Sequence, residues 1–127
     1  MEQEYRVPAN VTVVEKAAPR DGVCKVVVHS RVTNIAEDAF RGWKGLSEIA
    51  LTGRSRLERI GARAFTFTAL EKFIAPRSLT TIRSGAFARC KNLKEVRLNE
   101  GLESIGGGGE GAFFGSGVEV VYIPSTL

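Results

Sequence analysis

Apolar residues along this chain fall into short frames in which two aliphatic positions are separated by two polar ones, and the frames recur. Four of them open repeating units: Val32 with Ile35, Leu57 with Ile60, Leu79 with Ile82, and Leu102 with Ile105. Each is followed by Ala-Phe, at 39–40, 64–65, 86–87 and 112–113. A second frame comes next: Leu46 with Ile49, Leu70 with Phe73, Leu93 with Val96, and Val118 with Val121. A degenerate first unit has Val11 with Val14 and Val23 with Val26, and Ala17 or Ala18 stands where its phenylalanine would be. Units therefore start near residues 11, 32, 57, 79 and 102, and residues 1–10 form an N-terminal extension or makeshift cap. Self-similarity at this period marks a quasi-one-dimensional stack, because no single unit can bury its apolar edge alone.

The second frame predicts a short strand with one wet face. In Leu93-Lys-Glu-Val-Arg-Leu98, Leu93, Val96 and Leu98 turn inward while Lys94 and Arg97 turn out. Gly53, Pro76, Gly101 and Pro124 then punctuate the chain and turn it back across the unit. The first frame predicts a second short apolar run on the opposite wall. Ala-Phe is expected on a tight helical or 3₁₀ turn, with alanine allowing close approach and phenylalanine filling the coil. Glu37 and Asp38 are expected to act there as acids at the first helical turn.

At this point the pattern resembles the BspA-like (Treponema-type) leucine-rich repeats, whose unit looks like Leu-x-x-Ile-x-x-x-Ala-Phe-x-x-Cys-x-x-Leu-x-x-Ile-x-Ile-Pro. The best match is Leu79-Thr-Thr-Ile-Arg-Ser-Gly-Ala-Phe-Ala-Arg-Cys-Lys-Asn-Leu-Lys-Glu-Val96, with Cys90 on the cysteine column and Pro76 and Pro124 on the proline column. Trp43 and Thr68 occupy or border the cysteine column in other units, and the resemblance covers roughly residues 11–127. It implies a leucine-rich repeat solenoid of about five coils, an α/β superhelix made mainly of short β-strands with 3₁₀ or short helical turns. It further implies a scaffold that binds partners without catalysis.

The register assigns outward positions on the strand wall and stacks them into columns. One column reads Cys24, Ser47, Glu71, Lys94 and Glu119; the next reads Lys25, Glu48, Lys72, Glu95 and Val120 and alternates in sign. Opposite charges facing each other across neighbouring strands support the register by roughly 0.2–1 kcal/mol each. A third column, Val27, Ala50, Ile74, Arg97 and Tyr122, is an apolar stripe broken by one arginine. Such a stripe rimmed by charge suits a protein partner. The expected partner-binding set is Val27, Glu48, Lys72, Ile74, Lys94, Arg97 and Tyr122.

Charge adds a second candidate surface. The chain carries 18 Lys or Arg against 14 Asp or Glu, but the excess is local. From Arg54 to Arg97 there are eleven Lys or Arg against Glu58, Glu71 and Glu95, while from Gly101 onward three glutamates stand without a basic residue. Turns at one phase of each coil stack into ridges, so Arg31, Arg54, Arg56 and Arg77, with His29 beside them, are expected to form a basic edge suited to acidic protein or a phosphate backbone. Few aromatic residues are free for stacking on bases, and no reading motif is present, which disfavours nucleic acid. The alternative function is thus a structural subunit of a larger assembly, docking through this ridge onto RNA or acidic protein. Self-association through an uncapped C-terminal coil is a third reading.

The remaining chemistry is sparse. His29 is the only histidine, and two cysteines in unrelated columns make neither a disulfide framework nor a zinc site. The Gly106–Gly109 run lacks the Lys-Ser/Thr of a phosphate loop and is expected to be a flexible bulge absorbing three surplus residues. No cofactor and no catalytic residue is expected. Met1-Glu-Gln-Glu4 does not resemble a secretory signal and no apolar run reaches membrane-spanning length; the cytoplasm and a longer surface or organellar protein both remain open as settings.

Overall fold

In the computed structural model, which describes residues 3–106, 111–118 and the backbone of 120–122, each repeat frame becomes a short strand. In chain order these are β1 (Gln3–Arg6), β2 (Val13–Val14), β3 (Val23–Val28), β4 (Asn34–Ile35), β5 (Glu48–Leu51) and β6 (Arg59–Ile60). They continue with β7 (Lys72–Ile74), β8 (Thr81–Ile82), β9 (Glu95–Arg97), β10 (Ser104–Ile105) and β11 (Val120–Tyr122). The first frames stack in parallel as β2-β4-β6-β8-β10, which puts Val14, Ile35, Ile60, Ile82 and Ile105 in one column. The second frames make the opposite wall, again all parallel, but as two separate sheets: β1-β3-β5 and β7-β9-β11. Parallel pairing between coils follows from the repeat, since every unit crosses each wall in the same direction.

The third wall corrects the expected fold class. Among the described residues there is no α-helix and no 3₁₀ segment; the molecule is a β-solenoid, not an α/β superhelix with helical turns. The reason lies in the backbone around Ala-Phe. The residue before the alanine and the second residue after the phenylalanine step into left-handed space. Asp38 (φ 61°) and Gly42 (80°) do so in one coil, Arg63 (55°) and Phe67 (62°) in the next, and Gly85 (68°) and Arg89 (58°) in the one after. A left-handed L-residue costs about 1–2 kcal/mol in steric crowding and stops right-handed helical turns from accumulating.

Hydrogen bonding shows what replaces the helix. The N–H groups of Ala39, Arg41 and Trp43 donate within their own turn, to Ala36, Asp38 and Phe40. The intervening N–H groups of Asp38, Phe40 and Gly42 donate instead to the carbonyls of Ala62, Ala64 and Thr66 in the next coil, at 3.0, 2.7 and 2.8 Å. Arg63, Phe65 and Phe67 repeat the pattern toward Ser84, Ala86 and Ala88. The wall is thus a ladder of turns knitted coil to coil. Glu37 and Asp38 correspondingly cap no helix: both carboxylates pair with Arg63 of the following coil, Asp38 at 3.3 Å, and Asp38 also meets Arg41 at 3.6 Å.

Inside the three walls the phenylalanines form a continuous stack. Phe40–Phe65, Phe65–Phe87 and Phe87–Phe113 lie nearly parallel at centroid distances of 5.4, 5.3 and 5.5 Å. The first coil lacks its phenylalanine, and Trp43 fills the space, edge-on to Phe40 at 5.0 Å. Tyr5 of β1 lies against Trp43 at 6.0 Å, while Val7, just beyond β1, is buried and donates its N–H to the Val27 carbonyl.

Trp43, Thr68 and Cys90 occupy one buried column, and each donates toward a carbonyl or a neighbour in that column: Trp43 Nε1 to Ala17 O, Cys90 Sγ to Phe65 O at 3.0 Å, with the Thr68 hydroxyl 3.4 Å from Cys90 Sγ. Both cysteines are free thiols. Burial pushes the Cys90 thiol above its ordinary value, and hydrogen bonding with Thr68 offsets only part of this. Since the thiolate is the reactive form, one fast-reacting thiol per folded chain is expected with Ellman's reagent at mildly alkaline pH. That thiol is the half-exposed Cys24, and Cys90 should react only on unfolding. Two fast thiols in the folded protein would contradict the Cys90 environment.

Candidate partner-binding face

The outward columns of the long wall sit in the predicted register on either side of one interruption. Lys25 faces Glu48 and Val27 faces Ala50; Lys72 faces Glu95, Ile74 faces Arg97, and the backbone of Tyr122 pairs with Arg97. Lys25 and Glu48 approach to 3.8 Å, and Arg97 pairs with Glu95 of its own strand at 2.7 Å. Exposed pairs of this kind contribute about 0–1 kcal/mol each, so they set register more than stability.

Between β5 and β7 the wall does not pair. Ala69 and Glu71 still donate to Leu46 and Ser47 across this boundary, after which the two sheets part. The apolar stripe is therefore not continuous. Val27 is nearly closed off at 7% exposure, with β1 on one side and β5 on the other, whereas Ile74 at the lip of the break is 52% exposed. The side chain of Tyr122, along with Glu119 and residues 123–127, lies outside the described residues, as does the glycine run beyond Gly106.

The break is an open cleft of about 850 Å³, lined by Glu48, Ile49 and Leu51 on one side and by Lys72, Phe73 and Ile74 on the other. Gly53, Arg54 and Ser55 close one turn at its end, and Pro76, Arg77 and Ser78 the other. The physical origin is a longer turn. Eight residues separate Ile49 from Leu57, against six from Val26 to Val32, Phe73 to Leu79 and Val96 to Leu102. This surplus sits at the turn after β5, where Gly53 takes a left-handed φ of 64°. The opening reaches the core: Ile49 and Leu51 are only half-buried, although their register partners Val26 and Val28 are fully enclosed. The 25-residue spacing between the starts near 32 and 57 was the signal for this cleft.

The basic edge divides between two environments. Arg54 and Arg77 flank the cleft, and Arg56 is exposed on the same turn as Arg54. Arg31 and His29 instead hold the N-terminal segment: Arg31 donates to the Ala9 carbonyl, and His29 Nε2 lies 2.9 Å from the Pro8 carbonyl. The Arg31 N–H also meets His29 Nδ1 at 3.2 Å. Lys94 lies on the long wall just before β9 and is exposed. A separate exposed group sits on the turn wall, where the Arg89 guanidinium lies 5.8 Å from the Phe67 ring and 5.3 Å from Phe114. Both phenylalanines lie off the Ala-Phe column, which is the sequence signal that sets them apart from the interior ones.

Among the described residues no three His, Cys, Asp or Glu side chains cluster so as to hold a metal ion, and no helix is long and apolar enough to cross a membrane. Parallel walls around a ring stack define a repeat solenoid. The chain belongs to the BspA-type leucine-rich repeat family: the family model described as "BspA type Leucine rich repeat region (6 copies)" matches residues 21–127.

Solved structures with the same fold include the pneumococcal vaccine antigen PcpA, at TM-score 0.71 and 21% identity over 98% of this chain and 41% of that one. A leucine rich cell surface protein from Faecalibacterium prausnitzii A2-165 matches at TM-score 0.71 and 23% identity, over 98% of this chain and 36% of its own. A leucine-rich repeat protein from Bacteroides ovatus ATCC 8483 matches at TM-score 0.53 and 18% identity, over 98% and 46%. This chain therefore spans less than half the length of each. A comparison with curated proteins gives no match.

Proposed function

We propose that the chain is a protein-interaction module whose partner seats on the long wall around the break between β5 and β7. The observation that supports this most is the exposure of Ile74 at the lip of a cleft that opens onto Ile49 and Leu51. Apolar area at the centre of a charged rim is the arrangement from which interfaces draw most of their binding energy. Lys72, Lys94 and Arg97 supply steering charge on one side and Glu48 on the other. Val27 contributes packing beneath this face rather than contact area.

The test is a pair of surface variants, Ile74→Glu and Arg97→Glu, compared with the parent for capture of partner proteins from extracts of the source cells. Each is expected to weaken the captured interaction roughly tenfold or more, about 1–2 kcal/mol, while the unfolding midpoint stays unchanged. Variants that capture the same proteins with unaltered affinity would place the partner elsewhere on the solenoid.

A second reading is supported by the exposed position of Arg54, Arg56 and Arg77 on adjacent turns. The module would then be a structural subunit docking by this edge onto an acidic protein surface or RNA. Under this reading reversal of these three charges removes the interaction and Ile74→Glu leaves it intact.

A further inference from the structure

We infer that the break between β5 and β7 is a strand-addition slot for a short extended segment of another protein, one that carries carboxylates at the end lying over the turns of Arg54 and Arg77. The inference rests on the reading of the long wall as the partner face and names the kind of partner. In an unbroken parallel wall every interior strand is paired on both sides. Here β5 closes one sheet and β7 opens another, so two short sheet edges border one cleft, between the Ala69-to-Leu46 and Glu71-to-Ser47 hydrogen bonds at one end and the Ser78 Oγ bonds to the Ser55 and Leu57 carbonyls at the other. Edges of this kind are templates for further pairing, and extended peptides bind by adding to them: main-chain bonds give affinity and alternate side-chain pockets give specificity. Solenoids ordinarily carry edges only at their two ends; this one has an internal pair.

The lining specifies the occupant. Ile49 and Leu51, half-buried beside β7, offer apolar contact to every second residue of an inserted strand. The volume, about 850 Å³, falls in the range of roughly 300–1,000 Å³ found for ligand clefts. Charge is placed at one end. Arg54 and Arg77 follow the C-terminal ends of β5 and β7, both are exposed, and neither has an ion-pair partner among the described residues. At the opposite end Glu48 is paired with Lys25 at 3.8 Å and Lys72 faces Glu95. A strand running in the wall's own direction therefore meets two guanidinium groups at its C-terminal end, where fork-like pairing with carboxylates is available.

The experiment uses fluorescein-labelled peptides and the full chain, read by anisotropy. The probe alternates valine and threonine and ends in two glutamates. Its controls end in two lysines, or carry N-methyl groups on alternate backbone nitrogens. The glutamate peptide is expected to bind at least tenfold tighter than either control, since each control removes a charge pair or main-chain bonds of roughly that value. Arg54→Glu with Arg77→Glu should invert the preference between acidic and basic ends. Saturation should also slow amide exchange at residues 48–51 and 72–75.

Equal binding by the N-methylated peptide, or no binding by any peptide, overturns the slot. Loss of binding on Arg97→Glu but not on the Arg54 and Arg77 reversals also overturns it, while leaving the wider partner face standing. If Ile74→Glu leaves captured partners unaffected but the glutamate peptide still binds as described, the wider reading fails and the slot survives.

Discussion

Replacing Phe65 by alanine is expected to lower the unfolding free energy by about 3–5 kcal/mol, the range for removing a fully buried phenylalanine. Phe65 is fully enclosed, and its ring lies between those of Phe40 and Phe87 at 5.4 and 5.3 Å. Truncation removes two ring contacts at once and leaves a void in the middle of a column only one ring wide. A solenoid is stabilised by interfaces between neighbouring coils, so the lost ring weakens the junctions on both of its sides. Phe113 supplies the comparison: it stacks on Phe87 at 5.5 Å but is only partly buried, so Phe113→Ala should cost distinctly less. Guanidinium unfolding of the two variants and the parent measures the difference. Equal costs would mean that the stack is not the common core of the coils.

Much of this architecture was legible because repetition turns weak local signals into columns. The frames Leu-x-x-Ile and Leu-x-x-Phe or Val placed the core residues of both walls, although Val27, expected on the outer face, is covered, and the pairing of Lys25 with Glu48 and of Lys72 with Glu95 follows from alignment alone. Helical turns around Ala-Phe were expected and are absent, for a reason that local propensity does not carry. Asp38, Arg63, Phe67 and Arg89 are side-chain-bearing residues in left-handed space, held there because every second N–H bonds to the next coil. Such bonds join residues more than twenty positions apart, so a reading of one unit misses them.

The cleft was only half legible. A 25-residue unit announces two surplus residues between Ile49 and Leu57, but length does not tell whether they loop outward or part the strands. The cover over Val27 was hidden for a different reason: β1 lies outside the repeat, and its pairing with β3 is set by Tyr5 meeting Trp43 and by Val7 entering the core. Arg31 and His29 are drawn to the same segment through the Ala9 and Pro8 carbonyls, which separates them from Arg54 and Arg77 at the cleft.

Gly61→Ala should be the most damaging addition of a single methyl group on the wall opposite the cleft. Gly61 follows Ile60 and donates its N–H to the Ile35 carbonyl at 2.7 Å, which draws the two coils together at this point. A Cβ there would lie 2.5 Å from Glu37 N, 2.6 Å from the Ala36 carbonyl carbon and 2.9 Å from Glu37 Cα. All three are backbone atoms, so no side-chain rotation relieves the overlap and the coils must separate. Overpacking of this kind costs about 1–3 kcal/mol, with valine worse than alanine. The equivalent positions Ala36 and Arg83 carry side chains, so the constraint belongs to this junction and not to the repeat. Separation would also strain the Arg63 pairs with Glu37 and Asp38 and the Asp38-to-Ala62 hydrogen bond. Gly111→Ala is the control, because nothing lies within 4 Å of a Cβ there, and it should leave stability within a few tenths of a kcal/mol or raise it slightly. The midpoint of guanidinium unfolding, with the slope held constant, reads the cost directly. A Gly61→Ala protein as stable as the Gly111→Ala control is incompatible with so close an approach of the third coil to residues 36–37.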